Sequence, residues 1–212
     1  MTILALEFSS AQRSVAVLGG NVAAETVETG GRSTAAFGMI EKVLSDAKIH
    51  REQVEVIAVG LGPGSYTGIR SAIAIAEGWQ LARPIRLIGI SSVEAIASRA
   101  QREKIYGDVD IVIDAQRGEV YHARYAISAT TAQETSSLRI IRPADLTAGN
   151  AATGTVVGPE ATRWVPSGKI LHPDAMTIAR LARDRSFSEA GLEPIYLRET
   201  TFVKAPPPRH IA

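Results

Sequence analysis

Ala58-Val59-Gly60-Leu61-Gly62-Pro63-Gly64-Ser65-Tyr66-Thr67-Gly68-Ile69-Arg70 carries a β-type run through a glycine-dense turn and opens a helix. Gly60, Gly62, Gly64 and Gly68 permit positive φ and close backbone approach, and Ser65 or Thr67 can cap the helix that follows. A helix N-terminus presents unpaired N–H groups that favour an anion. The parts of a phosphate loop are missing, however. A Walker loop needs Lys followed by Ser or Thr, and no Lys stands between Lys48 and Lys104. The dinucleotide fingerprint fails as well: Ser65 or Thr67 stands where its last Gly belongs, and the strand expected at residues 85–90 ends without a ribose-binding acid. A tight strand-to-helix turn accounts for the pattern equally well.

Outward from this stretch, β-rich runs at residues 3–8, 14–18 and 22–29 read as a three-strand meander, the last two joined through Gly19-Gly20. A helix follows, capped by Ser33 or Thr34, with Phe37, Ile40, Val43, Leu44 and Ala47 at three- and four-residue spacing. A strand at 54–59, a helix at 69–81, a strand at 85–90 and a helix at 93–102 complete an alternation that implies a parallel α/β sheet. After Tyr106-Gly107 the order restarts. Strands are expected at 109–113 and 120–126 around a turn at Gln116-Arg117-Gly118, and a third at 138–141. A short helix after Pro143, a strand at 155–157 and a helix at 176–185 follow. Glu7 and Asp114 hold the same place in the two halves, a carboxylate at the end of the leading strand. The pseudo-repeat predicts two lobes, 1–104 and 105–212, facing across a cleft, with an extended, mobile tail at Pro206-Pro207-Pro208.

The chain has 212 residues, is 45% hydrophobic and carries a net charge of +1, so it can bury a core and shows no global bias toward nucleic acid or membrane. With no cysteine, it has no disulfide, thiolate metal site or cysteine nucleophile. The first residues lack a basic targeting region and no apolar run approaches a membrane span, so a soluble protein is expected. His50, His122, His172 and His210 are scattered without metal-ligand spacing, and Ser65 lacks the flanking glycines of a nucleophile elbow. Ala72, Ala74, Ala76 and Gly78 keep one helix narrow enough for another to approach closely.

Two lobes of three strands, helix, strand and helix resemble the actin-like ATPase superfamily. Three motifs narrow this: Gly60 to Arg70 as quoted above, Ile113-Asp114-Ala115-Gln116-Arg117-Gly118-Glu119-Val120-Tyr121, and Pro194-Ile195-Tyr196-Leu197-Arg198. In order and spacing they resemble the bacterial TsaB family, formerly called YeaZ. The resemblance implies a two-lobed actin-like fold and a cytoplasmic, non-catalytic scaffold for TsaD. TsaD transfers the threonylcarbamoyl group of N6-threonylcarbamoyladenosine to adenosine 37 of tRNAs reading codons that begin with A, while a separate synthase makes the activated donor and TsaE is an associated ATPase. It further implies no cofactor or metal of the chain's own, nucleotide only at an interface with TsaD, a homodimer when alone and weak or indirect tRNA contact. Pairing through the first two helices nominates Phe37, Ile40, Leu44, Ala72, Ile73, Ala76 and Gln80. From the residues themselves, Glu7, Asp114 and Arg117 are the cleft candidates, with hydrogen bonding to the adjacent turns the favoured reading of the two carboxylates and an ion pair that of Arg117.

The chain departs from the family where the first strand ends in Glu7-Phe8-Ser9-Ser10 instead of Asp-Thr-Ser, and where Gly31-Arg32-Ser33-Thr34 lacks a His. The competing reading is a free-standing actin-fold enzyme, a small-molecule kinase or a metalloprotease. A kinase needs a glycine-bearing phosphate hairpin, and residues 8–13 contain no Gly. A protease needs metal ligands that the histidine spacing does not supply.

Overall fold

The computed structural model describes residues 1–30, 35–148, 154–185 and 191–198. β1 (Ile3–Glu7) is apolar on both faces and buried along its length, as a central strand must be. β2 (Gln12–Gly19) and β3 (Val22–Thr29) extend it as an antiparallel meander. The helix α1 (Ala36–Ala47) then returns the chain so that β4 (Val56–Gly60) pairs with β1 in parallel. α2 (Tyr66–Ala82) delivers β5 (Arg86–Ile90), giving the order β3-β2-β1-β4-β5. α3 (Ser92–Arg102) leads to a second copy of the plan. β6 (Gly107–Asp114), β7 (Val120–Ile127) and β8 (Ala132–Ile141) form its meander. After α4 (Pro143–Ala148), β9 (Thr155–Gly158) lies parallel to β6, and α5 (Ala161–Trp164) precedes β10 (Lys169–Ile170). The order is β10-β9-β6-β7-β8, and α6 (Ala175–Arg183) follows. Two sheets of one topology give the two-lobed actin-like architecture.

The differences from expectation have local causes. β8 starts at Ala132, six residues before the expected 138, because an edge strand solvated on one face carries the exposed Gln133, Glu134 and Thr135 and loses its apolar signal. α5 and β10 are too short to show a period. α2 starts at Tyr66 because Ser65 caps it, its side chain accepting from the Gly68 N–H at 3.3 Å. Ser33, Thr34 and the proline tail lie outside the described residues, and Ala35 precedes α1 without a side-chain cap.

Packing crosses the expected 104/105 division twice. One face of the first sheet, with Leu4, Leu6, Val15 and Val17, is covered by α1 and α2. The other face, with Ile3, Ala5, Ala16 and Ala58, is covered by Ala175, Ile178, Ala179 and Ala182 of α6, so small residues on both sides bring the helix close to the sheet. In return, Val93, Ile96, Ala97 and Ala100 of α3 cover Val109, Ile111 and Ile113 of the second sheet. Each half therefore completes the core of the other. Residues 1–104 expressed alone should bind a hydrophobic dye and melt without cooperativity, and mixing with residues 105–212 should restore a cooperative transition. An independently cooperative 1–104 fragment would contradict this packing account.

Candidate functional site

The glycine loop is filled by its own chain. Gly62 (φ 84°) and Gly64 (φ 148°) adopt backbone that residues with a side chain rarely take. The Ser65 N–H donates to the Ser9 carbonyl at 2.7 Å. A Cβ on Gly64 would stand 2.1 Å from Ser9 O, and one on Gly68 2.0 Å from Phe8 O. The glycine spacing thus makes a socket for the β1–β2 turn. The Leu61 N–H is engaged with Ile90 O at 2.8 Å and the Gly62 N–H with Ser92 Oγ at 3.1 Å, so these amides face the chain and not an anion.

Glu7 does not line an open cleft. Its side chain is wholly buried, accepting from the Ser9 N–H at 2.6 Å and the Ser92 hydroxyl at 2.8 Å, and it fills the space where a Gly60 Cβ would be, 1.9 Å from Oε2. Burial outweighs these hydrogen bonds and pushes its pKa up. Asp114 serves the other lobe's turn: it accepts from the Gln116 N–H at 2.7 Å and pairs with Arg163 at 2.7 Å. Both carboxylates hold turns, the reading favoured over a shared cleft, and Glu7 is sealed from any ligand. Arg117 is exposed in a turn where Gln116, Arg117 and Gly118 are all left-handed (φ 61°, 57° and 77°).

The partner-face residues also need correcting. Ile40, Leu44, Ala72, Ile73 and Ala76 are buried in the first lobe's own core, Ala76 at 0% exposure, because α1 and α2 turn these residues onto the sheet. Phe37, 68% exposed, and Gln80 reach the surface, although the Gln80 amide folds back onto Ile85 O at 3.0 Å. What the helices show outward is a groove of about 990 Å³ lined by Phe37, Ala74, Ile75, Gly78, Trp79 and Ala82, with Glu41, Arg51, Glu52 and Arg83 also on its walls.

The three sequence motifs, far apart along the chain, meet in space. Ile195 donates its N–H to Leu61 O at 2.9 Å, and Tyr196 stacks on Tyr66 with ring centroids 5.4 Å apart. Arg70 lies over the Tyr66 ring at 4.5 Å. Arg198 bonds Ala115 O at 3.1 Å and Glu119 at 2.6 Å. Residues 10–204 match the family model described as TsaD, tRNA N6-adenosine threonylcarbamoyltransferase, and the TsaB protein of Haemophilus influenzae is 28% identical over 97% of this chain and 98% of its own length. The chain belongs to the TsaB family. Escherichia coli TsaB is 37% identical over 87 residues, and the matched stretches span 38% of that protein and 49% of a Buchnera relative, half the length or less. A structure of YeaZ from Pseudomonas aeruginosa superposes with a TM-score of 0.79 at 27% identity, covering 92% of this chain and 99% of that one.

A second Pseudomonas structure is described as similar to peptidase YeaZ, which draws attention to Ser10 and His172, 3.1 Å apart. The Ser10 hydroxyl also lies 2.8 Å from Gln12 O, and whether its one proton goes to that carbonyl or to the imidazole Nδ1 depends on the ring's tautomer. Burial and nearby Arg99 hold the imidazole below its ordinary pKa. Among the described residues no three His, Cys, Asp or Glu cluster as metal ligands, and no helix is long and apolar enough to cross a membrane. Sequence reasoning singled out the three motifs but not their meeting; their shared presence was the available signal.

Two glycines test the socket. Gly68→Ala should cost about 3 kcal/mol, the upper end of the usual range for overpacking, against the Phe8 carbonyl, whereas Gly78→Ala, with open space at its Cβ, should gain about 1 kcal/mol from helix propensity; chemical denaturation reads both. For Glu7, the folded pKa lies above the unfolded 4.5, so its contribution is fully present below 4.5 and is lost as pH rises through the folded value. Glu7→Gln should accordingly remove that decline from the melting temperature measured between acid and neutral pH, and a variant with an unchanged pH profile would refute this.

Proposed function

We propose that this chain is the non-catalytic partner subunit on which TsaD works when it installs threonylcarbamoyladenosine at adenosine 37 of tRNAs reading codons that begin with A. Family membership supports the pathway, and the groove between α1 and α2 carries the subunit reading. Gly38 and Gly78 both line it. Glycine inside a helix costs up to about 1 kcal/mol relative to Ala, yet a Cβ at Gly78 would meet nothing within 4 Å and one at Gly38 only the Ala35 methyl at 3.6 Å. Among the described residues nothing uses either vacancy. A partner's helices seated closely on α1 and α2 would use both.

The same groove would serve a second copy when the chain is alone, so homodimer and TsaD complex would compete. TsaE joins the larger assembly, tRNA contact is indirect or weak, and the cytoplasm is the working compartment. The glycine loop supports the absence of a nucleotide held by this chain alone, since Leu61, Gly62 and Ser65 have their amides engaged. Nucleotide binding, where it occurs, would belong to the interface with TsaD.

Omitting each component in turn from a mixture of this chain, TsaD, TsaE and the donor synthase tests the role: modified tRNA should require this chain, and modification by this chain without TsaD would make it the enzyme. Gly78→Arg or Ala74→Arg should weaken TsaD binding by roughly a hundredfold, about 3 kcal/mol, with a melting temperature no lower than that of the unsubstituted chain. Ala76→Arg, placed in the core, should unfold the lobe. Undiminished affinity in folded Gly78→Arg would refute the groove as the contact.

A further inference from the structure

The two lobes share α3 and α6. Arg99 and Arg102 of α3 both reach Asp174, the cap of α6, at 3.5 Å. A helix pair of this kind lets two packed bodies rotate about their contact unless another link removes the freedom. Such a link is present in residues 192–198. Leu192 is buried in the first lobe's core, 8% exposed, beside the residues of α1 and α2. Three residues on, the Ile195 N–H is bonded to Leu61 O, and Tyr196 stacks on Tyr66, the first residue of α2. Two residues further, Arg198 has crossed to the second lobe, bonding Ala115 O and Glu119 beside the strained β6–β7 turn.

We propose that residues 192–198 form a strap that fixes the angle between the lobes and ties the start of α2 to the β6–β7 turn of the second lobe. The half-exposed Arg198–Glu119 pair is weak by itself. Its strength comes from standing at the end of a segment already ordered by Leu192, Ile195 and Tyr196, so little further chain entropy is lost when it forms. The strap has a directional consequence. Whatever displaces Tyr196 from Tyr66 releases the second lobe, and a change in lobe angle pulls on the first turn of α2.

The isolated chain is sufficient for the test, which therefore stands or falls separately from the partner reading. Because the protein contains no cysteine, Glu28→Cys on β3 and Ser137→Cys on β8, both exposed edge-strand positions, give two spin labels, one per lobe, with no background. Tyr196→Ala combined with Arg198→Ala should broaden and displace the label-to-label distance distribution. It should also accelerate exchange of the Ile195 amide by about tenfold, equivalent to about 1.4 kcal/mol. Arg198→Glu should act in the same direction, and adding Glu119→Arg should return the distribution toward wild type, which also shows that the variants are folded. A distribution unchanged in the double alanine variant, or an Ile195 amide that keeps its protection, would overturn the strap.

Discussion

Glu7 is a carboxylate without access to water, and the first lobe is arranged around that fact. Removing an ion from water costs several kcal/mol unless its oxygens are met by donors. One oxygen takes the Ser9 N–H and the other the Ser92 hydroxyl, which itself receives the Gly62 N–H. The end of β1, the glycine loop and the first turn of α3 therefore belong to one hydrogen-bond chain. Glycine at position 60 follows from the carboxylate, since no side chain fits beside it. Glycine at 64 and 68 follows from the turn that the carboxylate holds in place.

From that anchor the architecture is reciprocal. α3 starts on the first lobe's loop and packs on the second sheet, while α6 leaves the second half to cover the first. Ser14 and Glu25 on the first sheet accept the Ala175 and Met176 N–H groups at 2.7 and 2.9 Å, so the donors at the N-terminus of α6 are satisfied by the lobe it covers. With one face of the first sheet given to α6 and the other to α1 and α2, the outward sides of α1 and α2 remain as the apolar ground on that lobe.

The repeated strand and helix order was legible because long elements carry their own period. The spacing of Ile40, Val43, Leu44 and Ala47 and the apolar run of β1 need no tertiary information, whereas Phe37, read on the same face, proves exposed. The destination of a helix is different. Nothing in α6 distinguishes a helix that covers its own sheet from one that crosses to the other, since the Ala and Ile pattern suits both. The site was half legible for the same reason. Periodicity identified Ala72 and Ala76 as a narrow face, but a narrow face suits a sheet below as well as a partner above, and here the sheet took it. The glycine motif invited a ligand reading because a socket for a backbone turn and a cradle for a phosphate require the same freedom. Only the coordinates show Phe8 and Ser9 already seated there.

The exchange of helices also imposes an order on synthesis. The last strand of the first sheet ends at Ile90, but the helix that covers its open face ends at Arg183. At ribosomal speeds of about 5–20 residues per second, that face waits roughly 5–20 seconds for its cover. During this interval Ile3, Ala5, Ala16, Val56 and Ala58 are exposed on the nascent polypeptide. Slower synthesis between positions 90 and 183 lengthens that exposure, and transiently bare apolar surface of this kind is what aggregates.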